Sequence, residues 1–338
     1  MDETGKDQAL ELEEQSRKQE IEYFLSKMHY APEQLQSYRL LQGGISGAAT
    51  YWLHMTNEEL VCKITRVDSE RSVLERAQRE LHFYQLLAPQ LPLRVPQVLA
   101  SVQDAQGIAL LLMAYRPSPP ARLWLQEQYV EVASQLGRLH APFWKKTERA
   151  AQYSWLRRHT GNISVQRMQW AKEQWQALQE DARLMSLIPR HYYQPVMRLL
   201  SQLHQVESLL TSFPVTVCHG DCHSDNVLRD ERENLIWADW QEVGIGLGPA
   251  DVSFFIQRAF FAGGMVPDEA MIAAYHRQLE EYIEERLPLA LLQRVMDAIE
   301  VRAWLLDWPP YLGQASAEHL IKLLERIDLL SKRLHLNE

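Results

Sequence analysis

The chain has 338 residues, 46% hydrophobic and 23% charged, with 35 basic against 44 acidic side chains and a net charge of −9. That length holds one large domain or two lobes with real cores, and the composition is that of an ordinary globular protein. The acidic balance argues against a nucleic-acid or anionic-membrane surface, which would need a basic face, and it leans toward a cationic small molecule as partner.

Three cysteines, Cys62, Cys218 and Cys222, make no disulfide framework. Cys218 and Cys222 flank His219 and precede His223, but a structural zinc site would need a second ligand pair from elsewhere in the chain. The N-terminus, Met1 to Asp7, is acidic and polar, unlike a secretory leader. The longest apolar run, Ile108 to Tyr115, is too short to span a bilayer. These features predict a reduced, cytoplasmic protein.

In chain order, residues 1–30 read as a helical extension, with Ile21, Phe24, Leu25 and Met28 at helical spacing. Tyr38 to Leu41 is short and apolar. A glycine-dense turn follows, Gly43-Gly44-Ile45-Ser46-Gly47. Tyr51 to His54 and Glu59 to Ile64 read as two strands joined at Asn57. Ser69 to Leu87 reads as a helix with Ser69 as its N-cap and an apolar stripe at Leu74, Ala77, Leu81 and Tyr84. Val98 to Val102 and Ile108 to Ala114 are two further strands. Pro117, Pro119 and Pro120 then interrupt both helix and strand and mark a boundary. Beyond them the pattern is mostly helical, over Gln128–His140, Gln166–Glu180, His191–Leu210 and Asp268–Leu336. The exception is a strand-rich island from Val215 to Asp239.

That island carries the chemistry. An apolar strand, Val215 to Cys218, runs into His219-Gly220-Asp221. Asn226 comes five positions after Asp221. A turn at Asp230 to Glu233 leads to the apolar stretch Leu235 to Ala238, then Asp239-Trp240. Phosphoryl transfer needs a carboxylate to orient the attacking hydroxyl and accept its proton, and oxygen ligands to hold Mg²⁺ against the phosphates. Asp221 and Asn226 put such a base and such an amide on one loop. Asp239 supplies a second hard oxygen ligand.

His-Gly-Asp, then Asn, then Asp-Trp after a short hairpin resembles the catalytic signature of the aminoglycoside phosphotransferase and choline kinase superfamily. The resemblance implies a bilobal, protein-kinase-like α+β fold with a small β-rich N-lobe and a mostly helical C-lobe. It implies Asp221 as catalytic base, with Asn226 and Asp239 on Mg²⁺. The stretch Gly244 to Asp251 also resembles the family, with Asp251 bracing the catalytic loop. In the N-lobe, Lys63 and Glu80 stand where the family places the ATP-phosphate lysine and its glutamate partner. Gly43, Gly44, Ser46 and Gly47 resemble the loop that closes over the phosphates. Leu112 to Tyr115 resembles the hinge, with Met113 and Tyr115 at the adenine. The turn Leu136 to Ala141 reads as a structural helix end. The glycine loop departs from the Gly-x-Gly-x-x-Gly of protein kinases, and Asp225 stands where a small residue is common.

The implied organisation is an extension over 1–30, a nucleotide-binding lobe over 31–117 and a catalytic and substrate-binding lobe over 118–338. The expected activity is ATP- and Mg²⁺-dependent phosphorylation of a hydroxyl on a small molecule such as an antibiotic, amino alcohol or sugar. A nucleotide-binding pseudokinase and nucleotidyl transfer on the same fold remain alternatives. His223 reads as a packing or substrate-side group outside the catalytic set, and Trp304 and Trp308 as packing within the helical lobe.

Overall fold

The computed structural model describes residues 3–41, 47–159, 163–283 and 285–335. It divides into two compact units, Met1–Ser118 with Asp225–Glu242, and Pro119–Ser224 with Val243–Glu338. The sequence reading groups 118–338 as one lobe, whereas residues 225–242 cluster with the first unit.

The first unit begins with helix α1 (Glu3–Lys27) and a five-stranded sheet, β1 (Leu35–Leu40), β2 (Ala49–Met55), β3 (Glu59–Arg66), β4 (Val98–Gln103) and β5 (Gly107–Met113). The spatial order is β1-β2-β3-β5-β4, with every neighbouring pair antiparallel. Alternation sets the faces. Tyr51, Leu53 and Met55 on β2, and Leu60, Cys62 and Ile64 on β3, form a core with Ile21, Phe24 and Leu25 of α1 and with Met28 just past its end. These four residues recur at i, i+3, i+4 and i+7, the spacing of one buried helical stripe. The end of the extension therefore completes the core of this unit.

Helix α2 (Arg71–His82) follows β3. Its N-cap is Glu70, without a side-chain capping bond, and not Ser69. The α-helical pattern also stops at His82, and Phe83–Leu87 continue as a wider π-helical turn. Such widening accommodates an extra residue within a helix and is common at functional sites. After β5 the chain forms the short strand β6 (Arg116–Pro117).

In the second unit, α3 (Gln126–His140), α4 (Thr147–Ala151), β7 (Arg157–Arg158), α5 (Val165–Glu180), α6 (Ala182–Met185), α7 (Gln194–Ser201) and α8 (Leu203–Thr211) precede strand β8 (Thr216–Cys218). The single helix expected over 191–210 is broken at Gln202, where φ −101° and ψ 10° leave the helical basin. The Ser201 hydroxyl bonds the Arg198 carbonyl at 2.6 Å there, a local contact that competes with helix continuation.

The hairpin β9 (Val227–Arg229) and β10 (Leu235–Trp237) belongs to the first unit, where β9 also pairs with β6. Strand β11 (Gly244–Gly246) returns to the second unit, antiparallel to β8 and parallel to β7. Its two glycines make β11 illegible as a strand, yet a Cβ on Gly244 would sit 2.3 Å from the Arg157 carbonyl oxygen. Close backbone approach, not side-chain packing, builds this strand. Helices α9 (Gly248–Phe261), α10 (Asp268–Tyr282), α11 (Leu289–Leu306), α12 (Pro309–Leu312) and α13 (Ala317–Leu334) complete the chain. The predicted helical tail is thus divided. Pro288 stands at the N-cap of α11 and Pro309 opens α12, as proline's fixed φ favours at helix starts. No helix among the described residues is long and apolar enough to cross a membrane.

Phe24 is 1% exposed in the core beneath the sheet, whereas Leu12 on the same helix is 67% exposed. Phe24→Ala is expected to lower unfolding free energy by about 3–5 kcal/mol. Leu12→Ala should stay within about 0.5 kcal/mol of the parent in the same urea titration.

Candidate active site

The register of β3 is fixed on both sides, by Thr50 of β2 and Leu110 of β5 opposite Lys63. Alternation puts the Lys63 side chain on the face opposite the α1 core. There its Nζ lies 2.8 Å and 2.9 Å from the two carboxylate oxygens of Glu80 on α2. It also lies 2.7 Å from Oδ1 of Asp239. Glu80 is 3% exposed. Burial pulls the Lys63 ammonium toward neutrality, but the charges and hydrogen bonds of Asp239 and Glu80 outweigh it and raise its pKa. Burial raises Glu80, with Asp239 adding to the rise and Lys63 opposing it.

Asp239 is placed by the hairpin. Val227 faces Trp237 across β9 and β10, and the Ala238 N–H donates to the Asn226 carbonyl at 2.9 Å. Asn226 and Asp239 therefore meet at the open end of the hairpin. Asp239 has φ 64°, a left-handed conformation that Asp tolerates better than most residues. Helix α2 holds the segment after it. Arg79 Nη1 donates to the Gln241 carbonyl at 2.5 Å, Arg76 pairs with Glu242 at 2.7 Å, and Phe83 stacks on Trp240 at 4.0 Å. Arg76, Arg79, Glu80 and Phe83 share one helical face. A search for apolar stripes passes over this face because three of its four members are charged.

The donor set suits a hard divalent cation. Asn226 and Asp239 both carry hard oxygen atoms and lie at the same end of the hairpin, and the Lys63 ammonium is shared between two carboxylates, one buried and one part-exposed. At the expected hinge, the Met113 N–H is already donated to the Gln97 carbonyl and the Ala114 N–H to the Glu59 carbonyl. Among the described residues, Tyr115 is the position there whose backbone N–H has no protein partner. Gly43, Gly44 and Ser46 lie outside the described residues, while Gly47 lies inside them.

The second unit builds its own constellation around Asp221. Gly220, with φ 84°, makes the sharp turn between strand β8 and Asp221. The Asp251 carboxylate, near the start of α9, accepts the N–H of His219 at 2.7 Å and that of Gly220 at 3.0 Å. His140, at the end of α3, lies 3.2 Å from Asp251 through Nε2 and 3.0 Å from the Tyr275 hydroxyl through Nδ1. A ring that donates from Nε2 and accepts at Nδ1 satisfies all three groups. Burial pushes the Asp251 carboxyl up, but His140, His219 and the Gly220 N–H outweigh it and hold the pKa below its ordinary value. Cys218 also approaches His140 and Asp251 closely enough to share an ion. Those ring nitrogens and carboxylate oxygens are already engaged within the chain, and burial pushes the Cys218 thiol up, away from the thiolate a metal would take.

Asp221 follows the same logic. Burial raises its carboxyl, and His223, His219 and Arg258 together bring it below its ordinary value. His223 Nε2 lies 3.7 Å from Asp221 Oδ2. His223, set aside on the sequence, is thus part of the Asp221 environment. Its signal was its position two residues past Asp221. Tyr275 and Arg258 carried no comparable signal, because only folding brings α9 and α10 to this loop.

The profile of the phosphotransferase enzyme family matches residues 37–290, and the chain belongs to that family. Solved structures agree in fold. An aminoglycoside 2′-phosphotransferase-IIIa bound to GDP aligns at 12% identity with a TM-score of 0.54, covering 88% of this chain and 93% of that one. An ADP-bound aminoglycoside phosphotransferase of type 2″-Ib aligns at 14% identity and 0.55, covering 89% and 95%. A macrolide 2′-phosphotransferase from Brachybacterium faecium aligns at 17% and 0.53, covering 89% and 93%. No curated protein matches the sequence. The fold is the bilobal, protein-kinase-like α+β fold, and the family is one of phosphotransferase enzymes.

Because folding lowers the Asp251 pKa, its charge stabilises the fold above the unfolded value of about 3.9 and loses that contribution as pH falls through the folded value. Asp251→Asn is expected to cost roughly 1.5–3 kcal/mol at pH 7, the worth of a hydrogen bond to a charged group. The gap between variant and parent should narrow below about pH 4, as the parent's own Asp251 protonates. Urea melts across that range measure it.

Proposed function

We propose that this protein transfers the γ-phosphoryl group of ATP to a hydroxyl of a small molecule, with Mg²⁺ as cofactor. The observation that carries the reading is the shared contact of Lys63 Nζ with both Glu80 and Asp239. A lysine held by a buried glutamate, beside a carboxylate and an amide suited to a metal, is the equipment for holding polyphosphate. Lys63 then binds nucleotide phosphate, and Glu80 fixes its side chain for that task. The loop that includes Gly43, Gly44, Ser46 and Gly47 covers the phosphates through backbone N–H groups. The adenine lies along Met113–Tyr115, with the Tyr115 N–H as the available donor. Asn226 and Asp239 hold Mg²⁺, which neutralises charge on the phosphate oxygens when bound.

Asp221 orients the acceptor hydroxyl and takes its proton. The hydroxyl oxygen forms a bond to the γ-phosphorus, and the bond from that phosphorus to the β,γ-bridging oxygen breaks. The products are the phosphate ester and ADP. The lowered pKa of Asp221 keeps it ionised, and so able to act as base, at neutral pH. In this reading residues 31–117 carry nucleotide and 118–338 carry catalysis and acceptor.

Asp221→Ala should reduce kcat by about 10²–10⁴ with nucleotide affinity retained. A coupled ADP-release assay and nucleotide titration test this, and full activity in the variant would sink the mechanism. Tight Mg–ATP binding without transfer to any hydroxyl would instead make the chain a nucleotide-binding pseudokinase, and an adenylylated product by mass spectrometry would make it a nucleotidyl transferase.

Since His223 helps lower the Asp221 pKa, His223→Ala should move the acid limb of the kcat/KM–pH profile upward. The parent stays active to lower pH because its base remains ionised there. An unmoved limb would remove His223 from this role.

A further inference from the structure

A cavity of about 190 Å³ opens within the second unit beside Gly220, the residue preceding Asp221. Resting on the phosphotransferase reading above, this cavity identifies the class of acceptor. More of its lining is apolar than polar, with Leu247 before α9, Phe254 on α9, and Ile299 and Ala303 on α11, beside the polar groups His159, Asp251, Gln257, Arg302 and Asp307. The volume is below the roughly 300–1,000 Å³ of a pocket that engulfs a drug-sized ligand, so it holds a compact alcohol or one ring of a larger one.

The charged groups around it have partners within the chain. Asp251 gives its carboxylate to the N–H groups of His219 and Gly220. Asp307, largely exposed, is paired with Arg167 at 3.1 Å, and the guanidinium of Arg302 lies on the wall, paired with Glu207 at 2.8 Å. Among the described residues of this wall, the buried carboxylate is thus engaged by the backbone and the exposed one faces a guanidinium. A polycationic acceptor would bring several ammonium groups to a wall that also has a guanidinium, with part of their desolvation uncompensated.

One polar group suits a neutral hydroxyl instead. Gln257, 3% exposed, lines the cavity. Its Oε1 accepts the Trp308 indole N–H at 2.9 Å and its Nε2 donates to Ser253 Oγ at 3.0 Å. Phe261 stacks on Trp308 at 4.8 Å and holds the indole in place. The amide is therefore locked in orientation, with one donor and one acceptor position still unused by these two bonds.

We infer that the acceptor is a neutral alcohol with an apolar body, selected by the Leu247–Phe254–Ile299–Ala303 walls and the fixed Gln257 amide, and not a polycation. The net charge of −9 is a property of the whole surface and does not describe this cavity.

The test compares ADP release by the full chain with Mg–ATP on alicyclic and aromatic alcohols and on kanamycin. In parallel, binding of the same compounds to the Asp221→Ala variant is measured by equilibrium dialysis. The best neutral alcohol should exceed kanamycin at least tenfold in kcat/KM and in affinity. Ala303→Glu, which sets a carboxylate into the apolar wall, should lower affinity for that alcohol at least tenfold. Higher kcat/KM or tighter binding with kanamycin, or no binding of any neutral alcohol, overturns the inference. Binding is read without turnover, so failure of phosphoryl transfer alone counts against the kinase reading, while the dialysis still decides the acceptor class.

Discussion

Lys63 is one ammonium facing two carboxylates, and much of the first unit is arranged to hold it so. The antiparallel neighbours of β3 fix the direction of its side chain. Helix α2 brings Glu80 to it from behind, and the hairpin brings Asp239 from a segment 176 residues away in sequence. Removing one partner of a buried pair typically costs about 3–5 kcal/mol, because the other charge is left uncompensated. In the proposed reading, a divalent cation on Asp239 and Asn226 would take over part of the charge that Lys63 now balances, leaving the lysine able to engage phosphate.

The second unit solves a related problem by different means. Asp221 follows a sharp turn at Gly220, where backbone N–H groups point inward and need acceptors. Asp251 supplies them, and His140 and Tyr275 extend the bonding from two other helices. The Asp221 carboxylate thus rests on a loop whose backbone is fixed by a buried, charged acceptor. Such a support restricts loop motion more strongly than neutral bonds do, because hydrogen bonds to ionised groups are shorter and stronger.

Much of this was legible in the chain. The strands around Lys63 follow from alternation, and the end of α1 follows from four apolar residues at helical spacing. Asp221, Asn226 and Asp239 were readable because a hairpin imposes its own spacing on sequence. Other features were not. Strand β11 forms through glycine backbone contact, which leaves no apolar alternation to find. The helix expected over 191–210 breaks at Gln202, whose backbone leaves the helical basin with no proline or glycine there to signal it. Helix α2 starts one residue later than its serine suggested, with Glu70 at its N-cap. His223 appeared as a bystander, since its relation to Asp221 depends on the fold of the loop.

The sequence by itself determined the enzyme family and singled out Asp221, Asn226, Asp239, Lys63 and Glu80 as candidates. These are matters of residue type at fixed local spacing. Only the tertiary structure decided how charge is shared among Lys63, Glu80 and Asp239, and that Asp251 is spent on the catalytic-loop backbone. It also decided which apolar side chains, Leu247, Phe254, Ile299 and Ala303, gather in the cavity beside Gly220 despite the acidic composition of the chain. Charge balance and burial depend on which distant segments meet, and composition averages over those meetings.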